Sequence, residues 1–100
     1  MNDYLLLMHS DVVDDKAATD SVLWAAYFNA LRATGQFDGG SSIGTGQCFR
    51  KAGTAATRTD ALTGYIRIRA ADIDEARGYL NGNPIFEAGG TVEIRELPRD

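Results

Sequence analysis

The feature that most constrains the fold is the apolar run YLLLMH at residues 4–9. Its apolar residues do not alternate with polar ones, which predicts a strand that is buried on both faces. The chain has 100 residues, enough for one domain of two layers, in which helices cover only one face of a sheet. We therefore predict a single domain over residues 1–100, with a second subunit covering the other face of this strand.

The next two elements are a helix and an irregular strand. The segment SVLWAAYFNALRATG (21–35) has a wide apolar stripe, with Asp20 as its N-cap and Gly35 as its C-terminal stop. The glycine-rich segment 35–53 predicts one bulged second strand, whose regular part is expected at Gln47–Lys51.

The second half of the chain repeats the alternation of strand and helix. ALTGYIRIRA (61–70) alternates apolar and polar residues and predicts the third strand. A capping box formed by Asp72 and Glu75 opens a second helix over 72–84, and GTVEIREL (90–97) predicts the last strand. The resulting β-α-β-β-α-β order predicts a ferredoxin-like α+β fold: a four-stranded antiparallel sheet with both helices on one face.

Composition limits the partners and the compartment. The formal net charge of −4 argues against nucleic acid and anionic membranes, because both attract a surplus of Lys and Arg. The only cysteine, Cys48, cannot form an intrachain disulfide and is expected as a small buried side chain. No segment has the length of a membrane span or the pattern of a signal peptide. These observations predict a cytoplasmic protein.

Three segments, YLLLMH, LTGYIRIRAADIDEA and NPIFEAGGTVEIREL, resemble the YCII-related family. The resemblance covers nearly the whole chain. It implies a homodimer that forms an α/β barrel, in which two sheets pack face to face with the helices outside. The polar face of the sheet then forms the dimer interface, with the residues Tyr65, Arg67, Arg69, Glu93 and Arg95.

The segment before the last strand is expected to anchor this barrel. Pro84 is predicted to halt the second helix, Ile85 and Phe86 to lie in apolar surroundings, and the following glycines to allow a tight turn. Glu87 is either a surface group or the partner of an arginine across the dimer.

The resemblance transfers no activity, because two family features are missing. Many YCII-related proteins are thought to use a histidine on the first helix and an aspartate before the proline as an acid–base pair. Here the first helix has no histidine, and Asn83 stands at the aspartate position. Another branch carries the motif DGPF between strands two and three, where this chain has AATRTD (55–60).

His9 is the only histidine and is predicted at the end of the first strand. A cleft between helices and sheet is expected nearby, where His9 would act as a general acid or base with Asp11 or Asp60 orienting it. The alternative is a strand-end histidine that is hydrogen-bonded to backbone or water.

Four residues are predicted to contact a ligand at this cleft. Trp24 and Tyr27 would line it from the helix, and Ser41 and Ser42 would lie at its edge, although core packing is the favoured explanation of the two aromatic residues and a bulged strand that of the glycine-rich segment. No metal or cofactor is expected, since DVVDD (11–15) lacks calcium-loop spacing and the glycine run matches no phosphate-binding motif.

Three functions remain open at this point. The favoured one is a dimeric module that binds a small ligand or serves as an accessory protein, because the acid–base pair of the family is missing. The second is a cofactor-free enzyme of the isomerase, lyase or hydrolase type that uses His9. The third is a purely structural domain that assembles with itself.

Overall fold

The computed structural model describes residues 1–99, which form four strands and four helices. In chain order these are β1 (Asn2–His9), α1 (Asp15–Ala18), α2 (Ser21–Ala33), β2 (Phe37–Ser42), β3 (Leu62–Ala70), α3 (Ile73–Gly78), α4 (Pro84–Glu87) and β4 (Val92–Leu97). The strands form one antiparallel sheet in the order β2-β3-β1-β4. This confirms the predicted ferredoxin-like α+β fold, to which the short helices α1 and α4 are added. None of the helices has the length and hydropathy needed to cross a membrane.

The alternation of β3 divides the sheet into a face covered by helices and an open face. Gly64, Ile66 and Ile68 are buried on the covered face, as the sequence predicts. Tyr65 and Arg67 point the other way and remain partly or fully exposed. The period of two along a strand produces this separation.

The central strand β1 pairs with both β3 and β4. Tyr4, Leu6 and Met8 are buried beneath the helices, and full burial of such a side chain stabilises the fold by roughly 1.5–3 kcal/mol. Leu5 and Leu7 lie on the open face and are only half-buried. Within one chain, therefore, the covered face of β1 is sealed and its open face is not.

The long helix α2 supplies most of the layer above the sheet. Its N-cap is Asp20, whose carboxylate accepts two backbone N–H groups of the first turn, and Gly35 follows its end with φ +74°. Tyr27 lies in the core, whereas Trp24 and Phe28 are half-buried against it. The aromatic side chains of α2 therefore lie partly within the core and partly at its edge.

The prediction for the second strand is wrong in position. β2 precedes the segment Gln47–Lys51, which forms no strand and is exposed. The pairing of β2 with β3 shifts register between Phe37 and Gly40. Gly39 adopts φ +95° at that point, a conformation that favours glycine and produces a bulge. Cys48 lies in the loop after β2 and is exposed, so its predicted burial is also wrong.

The predicted second helix over 72–84 is too long, because α3 ends at Gly78. The capping box largely holds. The carboxylate of Asp72 accepts the N–H of Glu75 at 2.9 Å, and the carboxylate of Glu75 accepts the N–H of Ala71 at 3.3 Å.

A separate short helix, α4, follows α3. Asn83 is its N-cap and Pro84 occupies its first turn. The prediction that Pro84 halts the second helix is wrong, because α3 already ends at Gly78. Ile85 is buried as predicted, but Phe86 is 42% exposed and does not anchor the segment. Gly89 then turns the chain toward β4 with φ +84°.

Candidate functional site

A cavity of about 350 Å³ lies on the covered face, between α2 and the strands β2 and β3. Trp24 and Phe28 of α2 form its roof, and Ile85 of α4 and Met8 of β1 contribute apolar walls. Its volume lies within the range of roughly 300–1,000 Å³ that is usual for small-molecule sites. The helix packing thus leaves room for a small molecule beside the core.

The floor of the cavity is main chain, because glycines face it from two strands. A Cβ added to Gly40 would meet the carbonyl oxygen of Tyr65, and one added to Gly64 would lie 3.0 Å from the Cε atom of Met8. Gly40 therefore allows β2 to approach β3 closely, and Gly64 leaves space above the sheet. Any larger residue at these positions would fill or distort the floor.

The two rings of the roof contact each other, and the orientation of the indole is fixed by a hydrogen bond. The rings of Trp24 and Phe28 are stacked, with centroids 5.6 Å apart and planes inclined by 26°. The indole Nε1 of Trp24 donates a hydrogen bond to the carbonyl oxygen of Ala18 at 2.8 Å. This bond satisfies the polar end of the indole and leaves its apolar surface for packing or for a ligand.

Ser41 and Ser42 are neighbours in β2, so they lie on opposite faces of the sheet. Ser41 lies opposite Tyr65, a residue of the open face, and its Oγ donates to the carbonyl oxygen of Ser42 at 2.9 Å. Ser42 lies opposite Gly64 on the covered face. Its own hydroxyl forms no hydrogen bond within residues 1–99, so it is the free polar group at the cavity rim.

The structure brings three of the four predicted ligand residues, Trp24, Ser41 and Ser42, to this cavity. It places Tyr27 in the core, where the phenol donates to the carbonyl oxygen of Tyr79 at 2.8 Å. Burial raises the pKa of Tyr27. Tyr27 thus supports Trp24 from behind, through an edge-to-face contact of the rings at 6.2 Å.

His9 does not line the cavity; it lies on the open face of the sheet, at the end of β1. Its Nε2 is 3.0 Å from Oε1 of Glu93, and the other oxygen of that carboxylate accepts a hydrogen bond from Arg95 at 2.9 Å. The bonds from Arg95 and then from His9 hold the pKa of Glu93 below its ordinary value. The carboxylate therefore stays ionised and orients the imidazole.

Neither aspartate that was expected to orient His9 forms a hydrogen bond with it in the described part of the chain. Asp11 accepts the N–H and the hydroxyl of Thr91, at 2.8 and 2.7 Å, which lowers the pKa of Asp11. Asp60 pairs with Arg58 at 2.6 Å in an exposed loop. The orienting role thus belongs to a different carboxylate, Glu93.

Glu93 was missed in that role because the contact depends on long-range register. The pairing of β1 with β4 places Glu93 opposite Leu7, two residues before His9. Local sequence patterns show that Glu93 lies on a strand face, but they do not show which residue of another strand it faces.

Of the residues predicted at a dimer interface, Arg69 already binds other residues of its own chain. Its guanidinium pairs with Asp38 at 2.6 Å and donates to the carbonyl oxygen of Gly35 and the side chain of Gln36. It thereby ties β3 to the connection between α2 and β2. Tyr65, Arg67, Glu93 and Arg95 line the open face around Leu5 and Leu7.

Residues 1–99 contain no group of three or more His, Cys, Asp or Glu side chains placed to hold a metal ion. Two acids of the segment 11–15 instead accept backbone N–H groups: Asp11 accepts that of Thr91, and Asp14 caps α1 by accepting the N–H of Ala17 at 3.1 Å.

No family model and no curated protein matches the sequence. Among solved structures, the fold is similar to that of 5-chloro-2-hydroxyhydroquinone dehydrochlorinase (TftG) from Burkholderia phenoliruptrix AC1100, in its complex with 2,5-dihydroxybenzoquinone. The TM-score is 0.56 and the sequence identity 16%, over 98% of this chain and 95% of the other. At this identity the likeness shows a shared fold alone.

Proposed function

We propose that this protein is a small-ligand-binding module of YCII type, which holds a planar molecule in the cavity beneath α2. The observation that carries the proposal is the cavity itself: about 350 Å³, mostly apolar, and bounded by a main-chain floor and an aromatic roof. Apolar walls with a few placed polar groups are the usual composition of a ligand site.

The shape of the cavity favours a ring with a polar substituent. A flat ring fits between the glycine floor and the rings of Trp24 and Phe28, where stacking is favourable. The hydroxyl of Ser42 is free to bond an oxygen or nitrogen at the edge of such a ring. The TftG structure was solved with 2,5-dihydroxybenzoquinone, and this supports oxygenated six-membered rings as the first compounds to try.

The test is thermal denaturation with hydroxylated and carboxylated aromatic compounds, followed by calorimetry of each hit. A ligand that binds only the folded state raises the midpoint by mass action. Ser42→Ala should weaken a hit by roughly 2–12-fold, the value of one hydrogen bond. The matched control Ser41→Ala should leave the affinity unchanged, because its hydroxyl bonds the main chain.

Two results would contradict the proposal. One is a hit whose affinity is indifferent to both Ser42→Ala and Trp24→Leu, since it would bind elsewhere. The other is the absence of any hit across the compound set, which would favour the third hypothesis, a domain that only assembles with itself.

A second candidate function, acid–base catalysis, is supported by the hydrogen-bonded chain His9–Glu93–Arg95. An imidazole oriented by a carboxylate is the usual arrangement of a general base. The expected separation is that His9→Ala abolishes turnover of a compound bound beside His9 on the open face while leaving its affinity within about twofold, and that it leaves binding in the cavity beneath α2 unchanged. Glu93→Gln should reduce turnover less, because the amide still offers a hydrogen-bond partner to the ring. Turnover that survives His9→Ala would remove this candidate.

We also infer a homodimer in which two open faces meet. Leu5 and Leu7 are half-exposed at the centre of that face, and the resemblance to YCII-related proteins supports a face-to-face barrel. Light scattering behind a sizing column should give about twice the chain mass of 10.8 kDa. Leu5→Lys and Leu7→Lys should each shift the protein toward monomer. A wild-type monomer at every concentration would refute the inference.

A further inference from the structure

Residues 43–61, which join β2 to β3, form no helix or strand, and we call them the arm. The arm carries three basic side chains and one acidic one, so its net charge is +2. The rest of the chain carries −6, which gives the total of −4. A connection of this length without secondary structure is unusual in a small domain and is usually either functional or a linker. The charge contrast indicates that the arm contacts an acidic surface.

The arm consists of two segments, residues 43–52 and 54–61, which we call its limbs. Arg58 donates to the carbonyl oxygen of Gly46 at 2.9 Å and so ties the limbs at their base. Gly53, with φ +80°, lies at the turn between them. The radius of gyration is 14.9 Å, against about 13 Å for a compact domain of 100 residues. This excess agrees with a segment that extends away from the core.

The distal part of the arm carries an apolar anchor beside positive charge. Phe49 is 87% exposed and is followed directly by Arg50 and Lys51. Aromatic residues and arginine are the side chains that most often dominate binding energy at interfaces. An exposed Phe therefore distinguishes the arm from an ordinary polar loop.

A complementary surface lies on the same molecule, in the segment 11–20 between β1 and α2. It carries four aspartates and one lysine, and Val13 in its middle is 85% exposed. Within residues 1–99, no ion pair joins this segment to the arm. Both start from the same end of the sheet, since the N–H of Ser10 bonds the carbonyl oxygen of Ala61 at 2.7 Å.

We propose that the arm of one copy docks on the segment 11–20 of a second copy. Phe49 packs on Val13 there, and Arg50 and Lys51 face the aspartates. The contact rests on the association of two copies proposed above and adds a second interface to it. Because each copy carries both surfaces, a two-fold axis makes the contact twice. Within the described residues of one chain the arm and the segment 11–20 form no ion pair with each other, and we therefore infer that a second copy supplies the partner of each.

The affinity of the dimer tests the proposal, measured by sedimentation equilibrium over a concentration series. Phe49→Ser, and separately the double change Arg50→Glu with Lys51→Glu, should each raise the dimer Kd by at least about tenfold. Two controls lie at exposed positions at the far end of the sheet: Ile73→Ser, at a side chain that is 54% exposed, and Arg77→Glu. Both should leave the Kd unchanged.

Charge exchange makes the test specific for the partner surface. Asp15 is the aspartate to change, because its carboxylate caps no helix, unlike those of Asp14 and Asp20. Asp15→Lys should weaken self-association. Mixing the Asp15→Lys chain with the Arg50→Glu/Lys51→Glu chain should restore one contact, because the lysine introduced at position 15 and the adjacent Lys16 then meet the two glutamates introduced in the arm of the second chain. The failure of the mixture to associate better than either variant alone would overturn the pairing.

The single exposed Cys48 allows the contact to be located directly. A maleimide–benzophenone reagent on Cys48 is photoactivated in a mixture of ¹⁴N and ¹⁵N protein, so that mass spectrometry distinguishes crosslinks between chains. Interchain crosslinks to residues 11–20 support the proposal. Crosslinks confined to one chain, or interchain crosslinks elsewhere, overturn it.

The outcomes separate this proposal from the face-to-face dimer. If Leu5→Lys dissociates the dimer while the arm variants leave the Kd unchanged, the sheet-face interface stands and the arm contact is refuted. If the arm variants weaken the dimer and Leu5→Lys does not, the arm contact stands and the sheet-face interface fails. A wild-type monomer at all concentrations refutes both.

Discussion

Replacing Asn83 tests whether the segment before β4 is held by one buried side chain. Asn83 is fully buried, and its Oδ1 accepts the N–H groups of Ile85 at 3.0 Å and Phe86 at 3.1 Å. Its Nδ2 has no hydrogen-bond partner in the described part of the chain. The oxygen therefore stabilises the start of α4, while the amide nitrogen carries a desolvation cost.

The expected effect of Asn83→Ala follows from these contacts. Loss of an N-cap costs about 0.5–2 kcal/mol, and the buried N–H of Ile85, left without an acceptor, costs about 1–3 kcal/mol. The two costs overlap, and removal of the unpartnered amide nitrogen offsets about 1 kcal/mol. We expect a net loss of about 2–3 kcal/mol in the free energy of unfolding. For a domain of this size that lowers Tm by roughly 10–20 °C.

The assay is urea unfolding followed by circular dichroism, with Asn83→Ser as the matched control. Serine is a good N-cap and has no amide nitrogen to leave unpartnered. Asn83→Ser should therefore lower the free energy of unfolding by less than about 1 kcal/mol, although both variants remove side-chain volume. Equal losses for Ala and Ser, or a loss below about 1 kcal/mol for Ala, would refute the cap as the cause.

Three further predictions concern the floor, the edge strand and acid stability. Gly40→Ala should destabilise by about 1–3 kcal/mol, because the added Cβ meets backbone of β3, whereas Gly44→Ala, with open space around it, should be neutral in the same urea assay. Arg69→Gln should cost about 0.5–1 kcal/mol, the scale of a partly exposed ion pair, and should increase amide hydrogen exchange in β2 most. Hydrogen bonds from Thr91 hold the pKa of Asp11 below its ordinary value of 3.8, so this stabilisation is complete above pH 3.8 and is lost as the pH falls through the lower folded-state value. Asp11→Asn should therefore flatten the acid limb of a stability–pH curve between about pH 2 and 5, and an unchanged slope would contradict the assignment.

The strands with regular patterning were predictable from the sequence. The alternation of β3 and the apolar run of β1 place both strands, and the alternation of β3 also shows which of its residues turn toward the helices. The segment FDGGSS of β2 has a single large apolar side chain and a glycine bulge, so neither periodicity nor propensity identifies it. Gln47–Lys51 has better strand composition but pairs with no strand of the sheet and lies in the arm.

The candidate site was predictable only in part. Trp24 and Ser42 were expected near a ligand from their residue types, and they do meet at one cavity. The cavity exists because glycines on two strands lie beneath one helix, which depends on the register between β2 and β3. The partner of His9 depends likewise on the register between β1 and β4. Neither register can be derived from a single strand.

A floor made of main chain has a consequence for how such a site diversifies. Backbone atoms are the same whatever the sequence, and substitution at Gly40 is resisted by the strand beside it. Substitutions that alter the cavity are therefore better tolerated in the roof, where Trp24 and Phe28 occupy successive turns of one helix. A library randomised at these two codons would vary the surface that covers a bound ligand, while the sheet beneath retains its shape.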